Sequence, residues 1–200
     1  MNLGSAAGFL SMAISESLIK KCLKGDERAQ HQLFKQCFQL LMGISMRYYK
    51  NEDDAKEALN KGFYRILTKL DQHDTSKNFE GWAKRVMITT ILNDFRKNKK
   101  YRENIQNVDL QSEEYLYNIN SDDINERMDA DEILELIQNL PDKEREILNL
   151  YSIDGYNHKE ISEQLGIPVG TSKWLLSKAR KSLSNALKNL LYQGIKTLLL

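Results

Sequence analysis

Apolar residues recur along most of this chain at steps of three and four, the spacing that gathers them on one face of an α-helix. Leu33, Cys37, Leu41, Ile44 and Tyr48 form one such stripe and predict a long helix to about Tyr49. Ahead of it, Ser15 or Ser17 can cap a short helix to about Lys24, and Gly25 followed by Asp26 stops that helix and caps the long one. Ala55, Leu59, Phe63, Ile66 and Leu67 predict a third helix reaching Leu70, capped by Asn51, with Asp53 and Asp54 in the first turn where carboxylates favour the helix dipole. The polar run DQHDTSKN, residues 71–78, offers no apolar face and predicts an exposed loop. From Phe79 the helical period returns, with Met87, Ile88, Ile91, Leu92 and Phe95 on one side. Trp82, Arg85, Thr89, Asn93, Arg96 and Lys100 fall within about 80° on the other.

Over residues 101–126 the period is lost and the chain turns acidic and Asn-rich, the pattern of a linker in which Tyr115, Leu116 and Tyr117 could make transient contacts. Helix is expected again near Asp129, through Ile133, Leu136, Ile137 and Leu140. Pro141 opens a further helix, closed by Gly155, in which Ile147, Leu148 and Tyr151 supply support beneath the next two helices. Lys159 to Leu165 then reads as a short helix ended by Gly166, with Pro168 setting the direction of another that starts around Val169. Two helices joined by so tight a turn make a helix-turn-helix. On the second of them Leu176, Ala179, Leu183, Ala186, Leu187 and Leu190 share a face that must be buried. Lys173, Trp174, Ser177, Lys178 and Lys181 face outward, with Arg180 at their flank. Cations and hydrogen-bonding groups near a helix start are what entry into a DNA major groove requires. A solvated lysine-rich surface helix is the competing reading, and the preceding helix with its Gly-x-Pro turn favours DNA.

Composition sharpens this picture. A chain of 200 residues with 2 prolines and 10 glycines favours long helices, and the expected fold class is all-α, as two small helical domains joined by an acidic flexible linker. The expected boundaries are an N-terminal extension over 1–16, disordered in this reading, a first domain over 17–100, a linker over 101–127, a second domain over 128–192 and a tail over 193–200. The net charge of +1 conceals a segregation. Residues 1–100 carry 18 basic and 11 acidic side chains, residues 101–142 carry 2 and 12, and residues 143–200 carry 9 and 5. Two basic modules therefore flank an acidic connector.

Cys22 and Cys37 lack the spacing of a metal or redox motif and read as buried small apolar residues, as suits a reducing cytoplasm; His31 lies between them, but helical phasing scatters the three. The N-terminal stretch lacks the basic segment of a secretory signal, and no stretch is apolar enough to cross a bilayer. No phosphate-binding glycine loop, paired catalytic carboxylates or nucleophile with a neighbouring base occurs, so neither an enzyme nor a cofactor is expected. The Trp82 face, with an aromatic ring, amides, hydroxyls and cations in a row, suits stacking and phosphate contacts with unpaired nucleotides. A Trp packed partly against its own domain is the plainer alternative.

The order of parts adds a resemblance. DDAKEALNKGFYRIL, a polar loop, FEGWAKRVMITTILNDFRK and then LPDKEREILNLYSIDGYNHKEISEQLGIPVGTSKWLLSKARK resemble, over residues 17–190, the sigma-70 family of RNA polymerase initiation factors. The likeness is greatest to the extracytoplasmic-function group, which keeps only regions two and four. The resemblance implies that residues 51–70 dock on the clamp helices of the polymerase largest subunit, through Asp54, Glu57, Asn60, Lys61, Phe63 and Tyr64. It implies that the 71–78 loop and the following helix open and hold the minus ten element. There a non-template base would enter a pocket built by His73, Asp74, Thr75, Ser76, Lys77 and Asn78. Phe79 and Trp82 would wall the junction, Thr89 and Asn93 would face the promoter, and Arg85, Arg96 and Lys97 would hold phosphates. Lys159, Thr171, Lys173, Trp174, Ser177, Lys178 and Arg180 would meet the minus thirty-five element, and this second module would also touch the polymerase flap.

Further implied partners are promoter DNA and an anti-sigma factor, often membrane-anchored in this group. No small-molecule substrate and no membrane insertion of the chain itself are expected, and the implied location is cytoplasmic. The chain departs from the family at several positions. Asn60-Lys61 stands where Gln-Glu is usual, Thr89 where Asn is usual, Ser172 where an apolar residue is expected, and Trp174 and Leu175 where polar or basic residues are typical. Two other readings remain open on the sequence: a DNA-binding regulator that needs no polymerase, and a sigma-like adaptor that does not bind DNA.

Overall fold

The computed structural model describes residues 14–101 and 130–198, all of them helical or in the turns between helices. Residues 1–13 of the expected extension and the expected linker with Tyr115, Leu116 and Tyr117 lie outside the described residues. The chain divides into two compact units, residues 1–101 and 102–200.

The first unit consists of α1 (Glu16–Leu23), α2 (Glu27–Tyr48), α3 (Glu52–Thr68) and α4 (Phe79–Tyr101). Each of the first three starts at a side-chain cap: Ser15 accepts from the Leu18 N–H at 3.2 Å, Asp26 from Ala29 at 3.1 Å and Asn51 from Asp53 at 2.8 Å. The predicted stripes meet in one core, where Leu33, Leu41, Ile66, Met87, Ile91 and Leu92 are fully enclosed. Gly62 lets α3 approach α4 closely, because a methyl group there would run into the Met87 side chain. Cys22 and Cys37 are both buried and free, and burial pushes the Cys37 thiol up to about 12, so it packs as a small apolar group.

Two expectations need correction here. The third helix stops at Thr68, because the chain folds into a short 3-10 turn over Leu70–Gln72 that carries Leu70 into the core. The 71–78 segment is also not wholly exposed, since His73 is buried. A neutral imidazole is largely an aromatic ring, and it finds aromatic neighbours here.

The second unit holds α5 (Ala130–Gln138), α6 (Asp142–Leu148), α7 (His158–Leu165) and α8 (Val169–Leu198). Arg145, itself buried, ties the end of α5 to α6 by donating to the Gln138 and Leu140 carbonyls at 3.1 and 3.0 Å and pairing with Asp142 at 2.7 Å. Asn157 and Glu160 form a reciprocal capping box at the start of α7. Gly166 ends α7 in the left-handed conformation, φ 65°, which only glycine takes at no steric cost. The turn into α8 is therefore the tight one that the sequence implied.

The predicted support changes in detail. α6 runs into a π turn over Asn149–Ile153 that buries Asn149 and Leu150 and leaves Tyr151 partly exposed, with its ring against His158 of α7 and not in the core. Ile133 is exposed. On α8, Leu175, Leu176 and Ala179 are buried, whereas Leu183, Ala186 and Leu187 are half-buried. The backbone helix continues to Leu198, through most of the segment expected as a tail. Among the described residues, no helix is long and apolar enough to cross a membrane.

Candidate nucleic-acid interface

In the first unit the site is built where the 71–78 loop runs into α4. Asp74 organises the loop: its carboxylate accepts from the Ser76 N–H at 3.0 Å and the Ser76 hydroxyl at 2.7 Å and lies 3.5 Å from the Lys77 ammonium. The Ser76 bonds and the Lys77 charge hold that carboxyl below its ordinary range. Asn78 caps α4, accepting from the Glu80 and Gly81 N–H groups at 2.8 and 3.3 Å. Asp74, Thr75, Ser76, Lys77 and Asn78 are all exposed.

Behind the loop His73, Phe79 and Trp82 form an aromatic cluster. The His73 ring meets Phe79 edge-on at 5.2 Å and lies 5.1 Å from the Trp82 ring, and Phe79 lies 5.5 Å from Trp82. His73 and Phe79 are buried, so neither lines an open pocket as expected; together they brace Trp82, which is half-buried. A braced ring that keeps some solvent exposure can stack on a base without first giving up its own freedom. Along the same helix Arg85, Arg96 and Lys97 are exposed, Thr89 and Asn93 are half-buried, and Arg96 donates to the Asn93 amide oxygen at 2.6 Å.

On α3, Asp54, Glu57, Asn60, Lys61 and Tyr64 face solvent, Tyr64 at 68 % exposure. Phe63 does not join them, because it is buried with its ring 4.9 Å from Phe34 in an edge-to-face contact. Lys61 bridges the two helices by pairing with Glu57 at 2.7 Å and with Asp94 of α4 at 3.3 Å. The acidic partners thus absorb the positive charge that replaces the usual glutamate.

In the second unit Lys159, Lys173, Lys178 and Arg180 are exposed, and Thr171, Trp174 and Ser177 are half-buried. Lys173 and Arg180, seven residues apart, share one stripe of α8. Lys178 departs from that stripe. Its ammonium pairs at 3.1 Å with Glu144, a buried carboxylate of α6 that also accepts from Ser182 at 3.2 Å, and lies 5.1 Å from the Trp174 ring centre. Helical phasing placed Lys178 on the outward face, but a buried carboxylate demands a cation more strongly than water does.

Sequence reasoning missed Glu144, Asp94 and His158, and it named Tyr151 and Ser172 without their partner. The His158 ring stacks on Tyr151 at 4.4 Å, and its Nδ1 lies 2.9 Å from the Ser172 hydroxyl. The unusual hydroxyl at 172, visible in the sequence, was the available signal for that bond.

Burial lowers the pKa of both His73 and His158, and Lys173 and Arg180 lower His158 further. Each folded value lies under the ordinary one near 6.5, so below about pH 6.5 the unfolded chain binds more protons and stability falls with pH. Thermal unfolding followed from pH 7.5 to 5 should therefore show midpoints dropping on the acid side of about 6.5. A rising midpoint there would contradict the burial argument.

Comparison with known proteins gives two matches in chain order. Residues 33–101 match the family described as Sigma-70 region 2, and residues 130–183 match Sigma-70, region 4. The ECF RNA polymerase sigma factor SigW of Bacillus subtilis is 27% identical over 187 residues, covering 86% of this chain and 96% of its own length. The RNA polymerase sigma-H factor of Pseudomonas aeruginosa is 24% identical, covering 92% of this chain and 100% of its own. Among solved structures, the sigma factor RpoE in complex with the anti-sigma factor NepR from Bartonella quintana aligns with a TM-score of 0.49 at 18% identity, over 79% of this chain and 96% of that one.

Proposed function

Because the chain belongs to the sigma-70 family, as an extracytoplasmic-function RNA polymerase sigma factor, we propose that its two units divide promoter recognition and opening between them. The first unit captures an extruded non-template base, and the second anchors the complex upstream in the major groove. The braced, half-buried Trp82, with the exposed Arg85 one turn away and Arg96 and Lys97 further along the same helix, carries this reading. Unstacking and flipping a base costs a few kcal/mol, and stacking it on an aromatic side chain returns about 1–3 kcal/mol. Phosphate contacts from the neighbouring cations add to that gain. In this form the base meets the solvent-exposed part of Trp82 near the Asp74–Asn78 loop, and His73 and Phe79 brace the ring without touching the base.

The second unit reads the minus thirty-five element with Lys173 and Arg180, supported by Lys159, Thr171 and Ser177, while Trp174 and Lys178 fix the helix against α6. Asp54, Glu57, Asn60, Lys61 and Tyr64 form the polymerase-facing row on α3. Tethering both units to one polymerase gives each a high effective concentration on the DNA, so neither must bind tightly alone. The partners in this reading are core polymerase, through its clamp helices and flap, promoter DNA and an inhibitory anti-sigma factor, in the cytoplasm. The chain acts by binding and not as an enzyme.

Run-off transcription with core polymerase on a random promoter library tests the reading. Transcripts that start at one recurring sequence are expected only when the full chain is added. Strong, specific duplex binding by the chain alone, with no stimulation of core polymerase, would favour a polymerase-independent regulator.

A further inference from the structure

On the Lys173 and Arg180 side of the helix-turn-helix, side chains from different elements connect in series. The Ser172 hydroxyl, in the first turn of α8, lies 2.9 Å from His158 Nδ1 at the start of α7. The His158 ring stacks on Tyr151 of the π turn, with centroids 4.4 Å apart and planes 24° from parallel. The Arg180 guanidinium, back on α8, lies over the Tyr151 ring at 5.7 Å. The series leaves α8 at a fully buried serine and returns to it two turns later at an exposed arginine.

The geometry points to Tyr151 and His158 as positioning residues that hold Arg180 in the pose with which it meets DNA. This rests on the promoter reading of α8 and names what makes that face specific. An unrestrained arginine samples many rotamers and loses that freedom when it binds a phosphate or a base edge. Resting on a ring by cation–π attraction, it has lost part of that freedom before DNA arrives. Tyr151 is 36% exposed, so the core does not enclose its ring. The stack on His158 supplies the fixing, and the Ser172 bond stops the imidazole from turning. His158 is kept uncharged by its burial and by Lys173 and Arg180, so the ring does not repel the cation it helps to place.

The test uses holoenzyme, reconstituted from core polymerase and the full chain, on the duplex that gives the strongest transcript in the promoter library. Arg180→Ala should lower occupancy about tenfold, the scale of one good base or phosphate contact. Tyr151→Ala should lower it about two- to fivefold, the scale of an exposed cation–π contact. The double variant should bind like Arg180→Ala alone, because Tyr151 acts through Arg180. Tyr151→Phe keeps the ring and should match the wild type, and His158→Ala should follow Tyr151→Ala. Unfolding midpoints and affinity for core polymerase, measured on each variant, separate positioning from loss of fold.

Losses that multiply in the double variant, or a neutral Tyr151→Ala beside a damaging Arg180→Ala, would overturn the positioning role and leave the promoter reading standing. An Arg180→Ala variant that binds like the wild type would remove both.

Discussion

Alanine in place of both Lys173 and Arg180 is expected to lower promoter occupancy by the holoenzyme about 100-fold, at roughly a factor of ten for each contact. The two residues share a stripe of α8 and are exposed, so their charges are available to the groove. Where they meet phosphates, the slope of log affinity against log salt should also become shallower by about two. Lys178→Ala should behave differently, although the sequence placed all three cations together. It removes the partner of a buried carboxylate; breaking a fully buried pair costs about 3–5 kcal/mol, and less is expected here because Lys178 is half-exposed and Ser182 still donates to Glu144. A lower unfolding midpoint with an unchanged salt slope is therefore the signature of Lys178→Ala. If the salt slope fell instead and stability held, Lys178 would be a DNA contact after all.

Trp82→Ala should lower the yield of open complex about 10- to 100-fold while leaving initial binding to the promoter nearly intact. Those figures correspond to about 1–3 kcal/mol for stacking one base on an aromatic side chain. Because the ring is half-buried, its removal should cost the fold less than removal of an enclosed core side chain. Trp82→Phe should restore much of the activity. His73→Ala should show an intermediate loss, since it leaves the ring in place but takes away one of the two rings that brace it. Equal losses in initial binding and opening would indicate that Trp82 holds the domain together and does not capture a base.

How much of the fold and the site was legible in the sequence depended on how local the cause was. The caps at Ser15, Asp26 and Asn51 and the left-handed stop at Gly166 act within a few residues, and the structure has them as read. The Leu33 to Tyr48 stripe was legible for the same reason, because one helix face needs only its own period. The all-α class came from those stripes and the scarcity of proline. What escaped depends on neighbours remote in sequence. His73 looked like one more polar loop residue, yet its burial requires Phe79 and Trp82 to fold back on it. Phe63 was read both into the apolar stripe of the third helix and into the polymerase-facing row, and only its contact with Phe34 across the helix interface decides for the stripe.

Lys178 was placed by phasing alone, and the carboxylate that claims it sits 34 residues earlier. Tyr151 had the right spacing for a core position, but the π turn breaks the α-helical period that the spacing assumed. In each case the residue type was read correctly and its partner was not.

Strand separation, in this mechanism, depends on capture of a base on Trp82. Permanganate footprinting of the selected promoter measures it most directly, with core polymerase alone, with the wild-type chain added and with Trp82→Ala at matched occupancy. Base capture predicts reactive thymines near the start site only with the wild-type chain and a strong loss of reactivity with the variant. Reactivity from the variant equal to wild type, or none from the wild type on any template that it transcribes, would contradict it.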